Sequence, residues 1–405
     1  MKNLARHIYR RLRAQLLQRM IPLSQAALPA APKDLHIEVI GFFHSISGIG
    51  ESARLCAQQL VEDGCKVSCT SVEKYFRKPQ EIPWDLAHPN NNDPTPAHIN
   101  CRIFHLNPPM LPPVILQMGL ESFKQTYNIG YWAWELESIP DEWINALRYM
   151  NAIITPSAFT TRVIQRYTDI PVLTATHPVA PGEAVADMRE RLQIPSDGFL
   201  VSSIFSFGSA MERKNPQGLV SAFIAALADK PDAYLVLKAN AGSNSPEKQS
   251  LLKIIAEQKN ILLVDQSWSR AEVLGLVQNS DLYASLHRSE GFGLTLAEAM
   301  LLGTPVMATA WSGNMDFCTD ENSFLIPFTP VNVVSGHPEF RELHNAVWAD
   351  ADLDYAAKIL CDIYQHRALL GSKSACCARD MQTCINSNKY EHALQQLMET
   401  QQSQL

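Results

Sequence analysis

The chain has 405 residues, 46% of them hydrophobic and 19% charged, a composition rich enough to bury a sizeable core and too apolar for disorder. Lysine and arginine number 34 against 41 acidic residues, a net charge of −7, which argues against nucleic-acid binding driven by many basic contacts to phosphate. No stretch approaches the ~18 consecutive apolar residues of a membrane span, and the N-terminus lacks the long apolar core of a secretory signal.

In chain order, residues 1–33 come first, with Lys2, Arg6, Arg10, Arg11, Arg13, Arg19 and Lys33 and no acid, a local charge of +7. Leu4, Ile8, Leu12 and Leu16 recur every four residues, with Leu17 and Met20 close to the same stripe, so the segment reads as a basic amphipathic helix. Such a helix suits an anionic membrane surface, where each basic group adds about 1 kcal/mol. Packing on its own domain or a partner subunit, or service as a mitochondrial-type presequence, are the alternatives. An Ala- and Pro-containing linker at 24–33 leads to a β-type run at 36–43. The turn Ser45-Ile-Ser-Gly-Ile-Gly-Glu-Ser52 and a helical pattern over 53–62 follow. A strand, a Gly-containing turn and a helix are the opening of an α/β nucleotide-type fold.

A further strand is expected at 66–72. Residues 79–113 hold nine of the 25 prolines and Asn90-Asn-Asn92, which marks a long irregular excursion. Alternation resumes with strand 125–134, helix 140–149, strand 152–156, helix 157–167 and strand 172–175. The charged stretch 182–195 reads as a linker. Beyond it come strand 199–205, helix 215–228, strand 234–239, helix 248–257, strand 261–265, helix 269–279, strand 281–285, helix 295–302 and strand 305–308. Strands alternating with helices imply right-handed crossovers and a parallel sheet. Two such runs predict two facing Rossmann-like α/β domains with a deep cleft at the carboxyl ends of the strands. The expected organisation is 1–33 basic segment, 34–181 N-terminal domain, 182–375 C-terminal domain, and 376–405 a helical segment packing back on the N-terminal domain. The nine cysteines, at 56, 65, 69, 101, 318, 361, 376, 377 and 384, form no CxxC pair and no zinc-type quartet, so a reducing compartment is the simplest reading.

The richest segment is Ser285-Leu-His-Arg-Ser-Glu-Gly-Phe-Gly-Leu-Thr-Leu-Ala-Glu298. A strand stops, a Gly-containing loop turns and a helix begins near Thr295, where first-turn amides offer an anion site. Glu290 and Glu298 beside it suggest a donor with hydroxyls at both ends, a sugar and a ribose. A dipole-favoured charge at Glu298 and an N-cap at Thr295 are the plain structural alternatives.

The spacing E-G-F-G-L-T-L-A-E resembles the EX7E signature of retaining glycosyltransferases of the two-Rossmann (GT-B) class, family GT4. Phe205-Ser-Phe-Gly-Ser-Ala-Met-Glu-Arg-Lys-Asn-Pro-Gln-Gly218 is similar to the family's basic loop after the first strand of the C-terminal domain. Asn128-Ile-Gly-Tyr-Trp-Ala-Trp-Glu135 and Leu286-His-Arg-Ser-Glu290 resemble a subgroup of bacterial polysaccharide and lipopolysaccharide assembly. The resemblance spans about residues 36–370. It implies Glu290 at the transferred sugar, Glu298 on the ribose, and Phe292, Gly293, Leu294 and Thr295 as backbone donors to sugar and diphosphate. Lys214 would neutralise the leaving diphosphate, and Gly48-Ile-Gly50 would lie under it. Many members carry an arginine where this chain has Ser209, and Arg213 is the candidate substitute. The family often places a histidine where Trp134-Glu135 stand, so these two are candidate contacts to acceptor or sugar.

His44 and His177 read as structural histidines at strand ends, and Tyr131, Trp132 and Trp134 as a buried strand end rather than a stacking platform. Asp350-Ala-Asp-Leu-Asp354 contains DxD, a metal motif in another glycosyltransferase class, but it precedes a helical pattern at 355–364 and reads as a cap. No metal and no cofactor is expected beyond the substrate, a GDP- or UDP-linked sugar with mannose the first candidate. The resemblance implies hexose transfer to a saccharide acceptor, lipid-linked, by a cytoplasmic protein peripheral on the inner face of the plasma membrane. A GT-B-fold epimerase or phosphorylase, or a non-catalytic scaffold of that fold, are the alternatives. Nicotinamide binding is disfavoured, since Gly48-Ile-Gly50 lacks GxGxxG spacing.

Overall fold

A computed structural model describes residues 12–13, 15–29, 34–86, 99–180, 182–240, 245–340, 343 and 345–403. The chain divides into two units. The first comprises Met1–Trp134, Ser138–Pro178 and Ser387–Leu405, the second Glu135–Glu137 and Val179–Asn386.

The first unit is built on six strands, β1 (His36–Gly41), β2 (Lys66–Ser71), β3 (Cys101–Phe104), β4 (Tyr127–Tyr131), β5 (Ala152–Thr155) and β6 (Val172–Thr174). They lie in the order β2-β1-β3-β4-β5-β6, and every pairing is parallel. Strands β1, β3, β4 and β5 are buried at every residue, which is why they read as apolar runs rather than as alternation. Strand order reverses between β1 and β3, the kind of point at which open α/β sheets receive ligands. The helix after β1, Gly48–Glu62, starts earlier than its apolar pattern because the Ser47 side chain caps it, accepting from Gly50 N at 3.2 Å. The last helix, Tyr390–Gln402, places Tyr390, Leu394, Leu397 and Met398 in this unit's core with Val39, Ala57 and Ile103.

The stretch 79–113 is not wholly irregular, as expected from its prolines. It supplies β3, which sits between β1 and β4, whereas its residues 87–98 lie outside the described residues. Only four residues long and centred on a charged side chain, β3 shows no strand pattern in sequence. The reason for the charge is tertiary. Arg102 Nε donates to Glu38 Oε2 on β1 at 2.7 Å, while its Nη atoms reach Ser122 O (2.8 Å), Thr126 Oγ1 (2.9 Å) and Ser122 Oγ (2.7 Å). Thr70 Oγ1 donates to the other Glu38 oxygen at 2.6 Å.

The second unit repeats the scheme with β7 (Phe199–Ser206), β8 (Ala233–Asn240), β9 (Ile261–Val264), β10 (Leu282–Ser285), β11 (Val306–Thr309) and β12 (Ser323–Ile326). The order is β12-β11-β10-β7-β8-β9, again all parallel. Renumbered from its first strand this is 3-2-1-4-5-6, the dinucleotide-fold order, with the reversal between β7 and β10. An antiparallel pair, β13 (Phe328–Asn332) and β14 (Val347–Ala351), follows. The charged stretch 182–195, expected as a linker, is packed instead. It contains the turn of helix Met188–Arg191, and Arg189 reaches Asp281 Oδ2 and Gly198 O, each at 2.9 Å.

Of the basic amphipathic segment expected over 1–33, residues 1–11, 14 and 30–33 lie outside the described residues, while 12, 13 and 15–20 are helical. Gln18 Nε2 bonds Asn145 Oδ1 at 3.0 Å and Ile21 is buried, whereas Leu12, Leu16, Met20 and Leu23 are exposed. None of the nine cysteines forms a disulfide among the described residues.

The Glu38–Arg102 pair gives a direct test of this fold. Replacing Arg102 by Ala strands a buried carboxylate and is expected to cost about 3–5 kcal/mol, read as a lowered urea midpoint. Ser122→Ala, which removes one hydroxyl partner only, should cost about 1 kcal/mol.

Candidate functional site

In the second unit, two loops leave the carboxyl ends of the strands that flank the reversal of order, β7 and β10. After β7 the chain passes through residues 207–210 into one helical turn, Met211–Lys214. Asn215 then takes a left-handed conformation, and its side chain caps helix Pro216–Leu227 through Gly218 N at 3.2 Å. After β10 the chain runs through residues 286–292 to helix Leu294–Leu301. Backbone and side chain join the two loops. Arg288 N donates to Arg213 O at 2.7 Å, and Asn215 Nδ2 donates to Leu286 O at 2.9 Å.

This joining brings Arg213, Lys214 and Glu290 together. Lys214 Nζ lies 2.5 Å from Glu290 Oε1, and Arg213 Nη1 lies 3.2 Å from Glu290 Oε2 and 3.0 Å from Ser289 O. Burial alone would raise the Glu290 carboxyl, but the charges of Lys214 and Arg213 overcome it and hold the group at about 2. Glu290 is therefore an anion at any physiological pH. Its backbone is fixed as well, since Glu290 N donates to Ser312 Oγ at 2.8 Å and Gly313 N donates to Glu290 O at 2.9 Å. Ser312 holds that position with φ 78° and ψ −145°, a strained conformation for a residue with a side chain.

Glu135 joins the same cluster. Its Oε1 lies 3.4 Å from Arg213 Nη2, and its carbonyl accepts from the Ser289 hydroxyl. Arg213 thus differs from the expectation of a cation offered to a diphosphate. Its side chain is only 8% exposed and is committed to Ser289, Glu290 and Glu135, which leaves Lys214, 22% exposed, as the cation nearer solvent. Ser209, where the resemblance led one to expect an arginine, carries no charge.

Helix Leu294–Leu301 begins one residue ahead of Thr295, and Thr295 is not its cap. Gly293 is the N-cap, at φ 101° where a side chain would be strained, and no side chain caps the helix. Leu294 and Thr295 are its first two residues, and Phe292 packs its ring 5.1 Å from Phe317. Glu298 lies in the second turn of this helix. It is buried and paired with Arg270 Nη1 at 2.6 Å, so the two glutamates of the motif have different cationic partners.

Gly48, Gly50 and Trp134 belong to the first unit. A Cβ on Gly50 would stand 2.6 Å from Phe42 O and 2.7 Å from Ser45 O, whereas one on Gly48 would meet nothing within 4 Å. Gly50 is thus required by packing, and Gly48 is the open position. Trp134 does not present its ring to a ligand. It is fully buried, with Nε1 donating to Ser138 O at 2.8 Å and the ring 4.6 Å from Trp143. Tyr131 and Trp132 are buried too. His44 lies 3.1 Å from Ile82 O through Nδ1, and His177 lies 3.2 Å from Tyr131 Oη, both structural contacts. Asp352 caps helix Leu353–Gln365 through Tyr355 N at 2.9 Å, as its position before that helix suggested, while Asp350 pairs with Arg288 at 2.7 Å.

Sequence reasoning passed over Asn215, Ser312, Asn314 and Glu339. Asn314 Oδ1 lies 3.0 Å from His287 Nε2 and so orders the loop that carries Glu290. The polar run Ser312-Gly-Asn314 directly after a strand was the available signal. Nothing in sequence pointed to Glu339.

Residues 188–334 match the family described as glycosyl transferases group 1. The chain is 32% identical over 141 residues to a D-inositol 3-phosphate glycosyltransferase of Xylanimonas cellulosilytica, a match covering 34% of this chain and 32% of that protein. It is 30% identical over 176 residues to the GtfA subunit of a UDP-N-acetylglucosamine–peptide N-acetylglucosaminyltransferase of Streptococcus pneumoniae, covering 43% of this chain and 31% of the relative. The chain thus spans about a third of the length of the curated relatives it matches. Among solved structures it resembles sucrose-phosphate synthase of Thermosynechococcus elongatus, with a TM-score of 0.63 at 15% identity over 91% of this chain and 98% of that one. That likeness is one of fold. Residues 188–334 therefore resemble the glycosyl transferases group 1 family, within a GT-B fold of two parallel-sheet units.

Proposed function

We propose that the protein is a retaining glycosyltransferase that moves a hexose from a nucleotide diphosphate sugar to a hydroxyl of a saccharide acceptor. The observation that carries this reading is the meeting of Lys214 and Glu290 at the reversal point of a dinucleotide-type sheet, next to a helix start that no side chain caps. An anionic diphosphate is suited by a cation and the amides of a helix start, and both stand on adjoining loops. The second unit is the donor side and the first unit the acceptor side. Lys214 neutralises charge on the departing diphosphate. Glu290, held as an anion, contacts the transferred sugar, Glu298 takes the ribose, and backbone amides of Phe292–Thr295 (292–295) receive sugar and diphosphate. Gly48 supplies the open backbone of the first unit's loop. Excluding water and orienting the two substrates supply the remainder of the acceleration. UDP is favoured as the donor nucleotide by the streptococcal relative, whose name specifies UDP-N-acetylglucosamine, and GDP-mannose is tested beside it.

Lys214 does the electrostatic work that a divalent metal does in other enzymes, so the reaction is proposed to be metal-independent. The acceptor is proposed to be lipid-linked, within bacterial surface polysaccharide synthesis. Supporting this is the exposed row Leu12, Leu16, Met20 and Leu23 on a segment rich in arginine, which suits the anionic inner face of a membrane. No helix among the described residues is long and apolar enough to cross one.

Three outcomes are expected. With UDP-N-acetylglucosamine, UDP-glucose and GDP-mannose screened as donors, Lys214→Ala and Glu290→Gln should each lower kcat/KM about a hundredfold or more in protein whose circular dichroism is native. Undiminished turnover in both would remove the pair from the mechanism. EDTA should leave turnover unchanged, and its restoration by Mn²⁺ after a loss would refute metal independence. In sedimentation with vesicles, the chain should bind those containing anionic lipid and not neutral ones, and a Leu12→Glu, Leu16→Glu double variant should stay in the supernatant.

A further inference from the structure

Arg213 faces three carboxyl groups. Glu290 comes from the loop after β10 and Glu135 from the segment Glu135–Glu137. Glu339 comes from the turn Pro338–Phe340, between β13 and β14, and acts on Arg213 electrostatically. Among the described residues, the other charged or titratable groups facing the cluster include Lys214 on Glu290, His287 and Tyr283 near Glu290, and His337, whose Nδ1 lies 3.7 Å from Glu339 Oε2. With three carboxylates against two cations, the fully ionised cluster carries one negative charge too many. Glu135 is where the excess is felt. Its Oε1 shares Arg213 at 3.4 Å, and its Oε2 is buried with no hydrogen-bond partner among the described residues, a costly place for half of an ionised carboxylate.

Burial pushes the Glu135 carboxyl up to about 7, Arg213 and Lys214 oppose the rise, and Glu339 and Glu290 add to it. Burial raises Glu339 as well. One proton on Glu135 brings the cluster to neutrality. Resting on the donor reading above, we propose that Glu135 determines donor affinity by taking up one proton as an anionic nucleotide sugar settles against Lys214. The step is a simple protonation: solvent or buffer supplies the proton, an O–H bond forms on the Glu135 carboxylate, and no other bond changes.

The sign follows from Coulomb's law. Two phosphate charges placed beside the cluster make a further anion less favourable, so Glu135 binds its proton more tightly in the complex than in the free protein. Affinity is then full and flat below about pH 7, and it declines as pH rises through the value for the complex. A diphosphate diester has no titrating phosphate proton in this range, so the nucleotide sugar itself does not contribute.

The test is calorimetric titration of the full chain with UDP-N-acetylglucosamine and with GDP-mannose. Runs in two buffers of different ionisation heat should show net proton uptake near pH 7.5, with Kd about tenfold weaker at about pH 8.5 than at about pH 6.5. Glu135→Gln, which fixes the side chain neutral, should abolish the uptake, flatten the profile and bind more tightly than the unmodified chain at high pH. A merely structural role for Glu135 would weaken binding at every pH instead. Binding without proton uptake by the unmodified chain, or an undiminished pH slope in Glu135→Gln, overturns the proposal and leaves the donor reading standing. Absence of binding by either sugar at any pH overturns the donor reading and this inference with it.

Discussion

The ion cluster of Arg213, Lys214 and Glu290 is the constraint on which the candidate site depends. A carboxylate taken out of water is expensive, and the cost is met only if cations and hydrogen bonds are held in place around it. Here one cation is nearly enclosed and the other is partly exposed. The enclosed one, Arg213, also grips the backbone at Ser289, so it sets the position of the loop as well as the charge of the glutamate. Lys214, the more exposed of the two, is the partner nearer solvent.

Why these residues meet is a matter of topology. In a sheet ordered 3-2-1-4-5-6, the loops after the first and fourth strands open in opposite directions and leave space between them. Those two loops carry Lys214 and Glu290, which lie 76 positions apart in the chain. Asn215, in a left-handed turn, caps the following helix and bonds the opposite loop at once. Ser312 pays for its place with a strained backbone and holds the Glu290 amide in return. Strain of this kind collects at functional positions because the surrounding structure must over-determine it.

The first unit shows the same logic in a drier form. Its order also reverses beside its first strand, and Gly50 there is demanded by carbonyls at 2.6 and 2.7 Å. Arg54 ties that turn down, donating to Phe43 O at 2.9 Å and Ser45 O at 3.1 Å. The ends of β3 and β4 are then filled by a buried polar cluster. His105 bonds Ser52 at 2.9 Å and stacks 4.4 Å from Tyr131, and Tyr390 of the last helix packs against both rings. Those aromatic residues serve the core, which is also the fate of Trp132 and Trp134.

Much of this was legible in the sequence. Apolar runs bounded by turns identified most strands, because a parallel strand buried on both faces needs no alternation. Caps at Ser47, at Ser157 before helix Ala158–Gln165 and at Ser269 before helix Arg270–Gln278 moved helix starts by only a few residues, and the local motif around Glu290 marked a strand–loop–helix unit unaided. What sequence could not show is anything that depends on a partner far along the chain. The short strand at Cys101–Phe104 was hidden because Arg102 makes sense only beside Glu38. The surroundings of Arg213 were not legible because the acids around it come from positions 135, 290 and 339. Periodicity records which face of an element is buried; it carries no record of which distant charge will face it. That pairing is decided when the sheet order brings remote loops to one edge, and it alone determines whether a charge is offered to a ligand or consumed inside the protein.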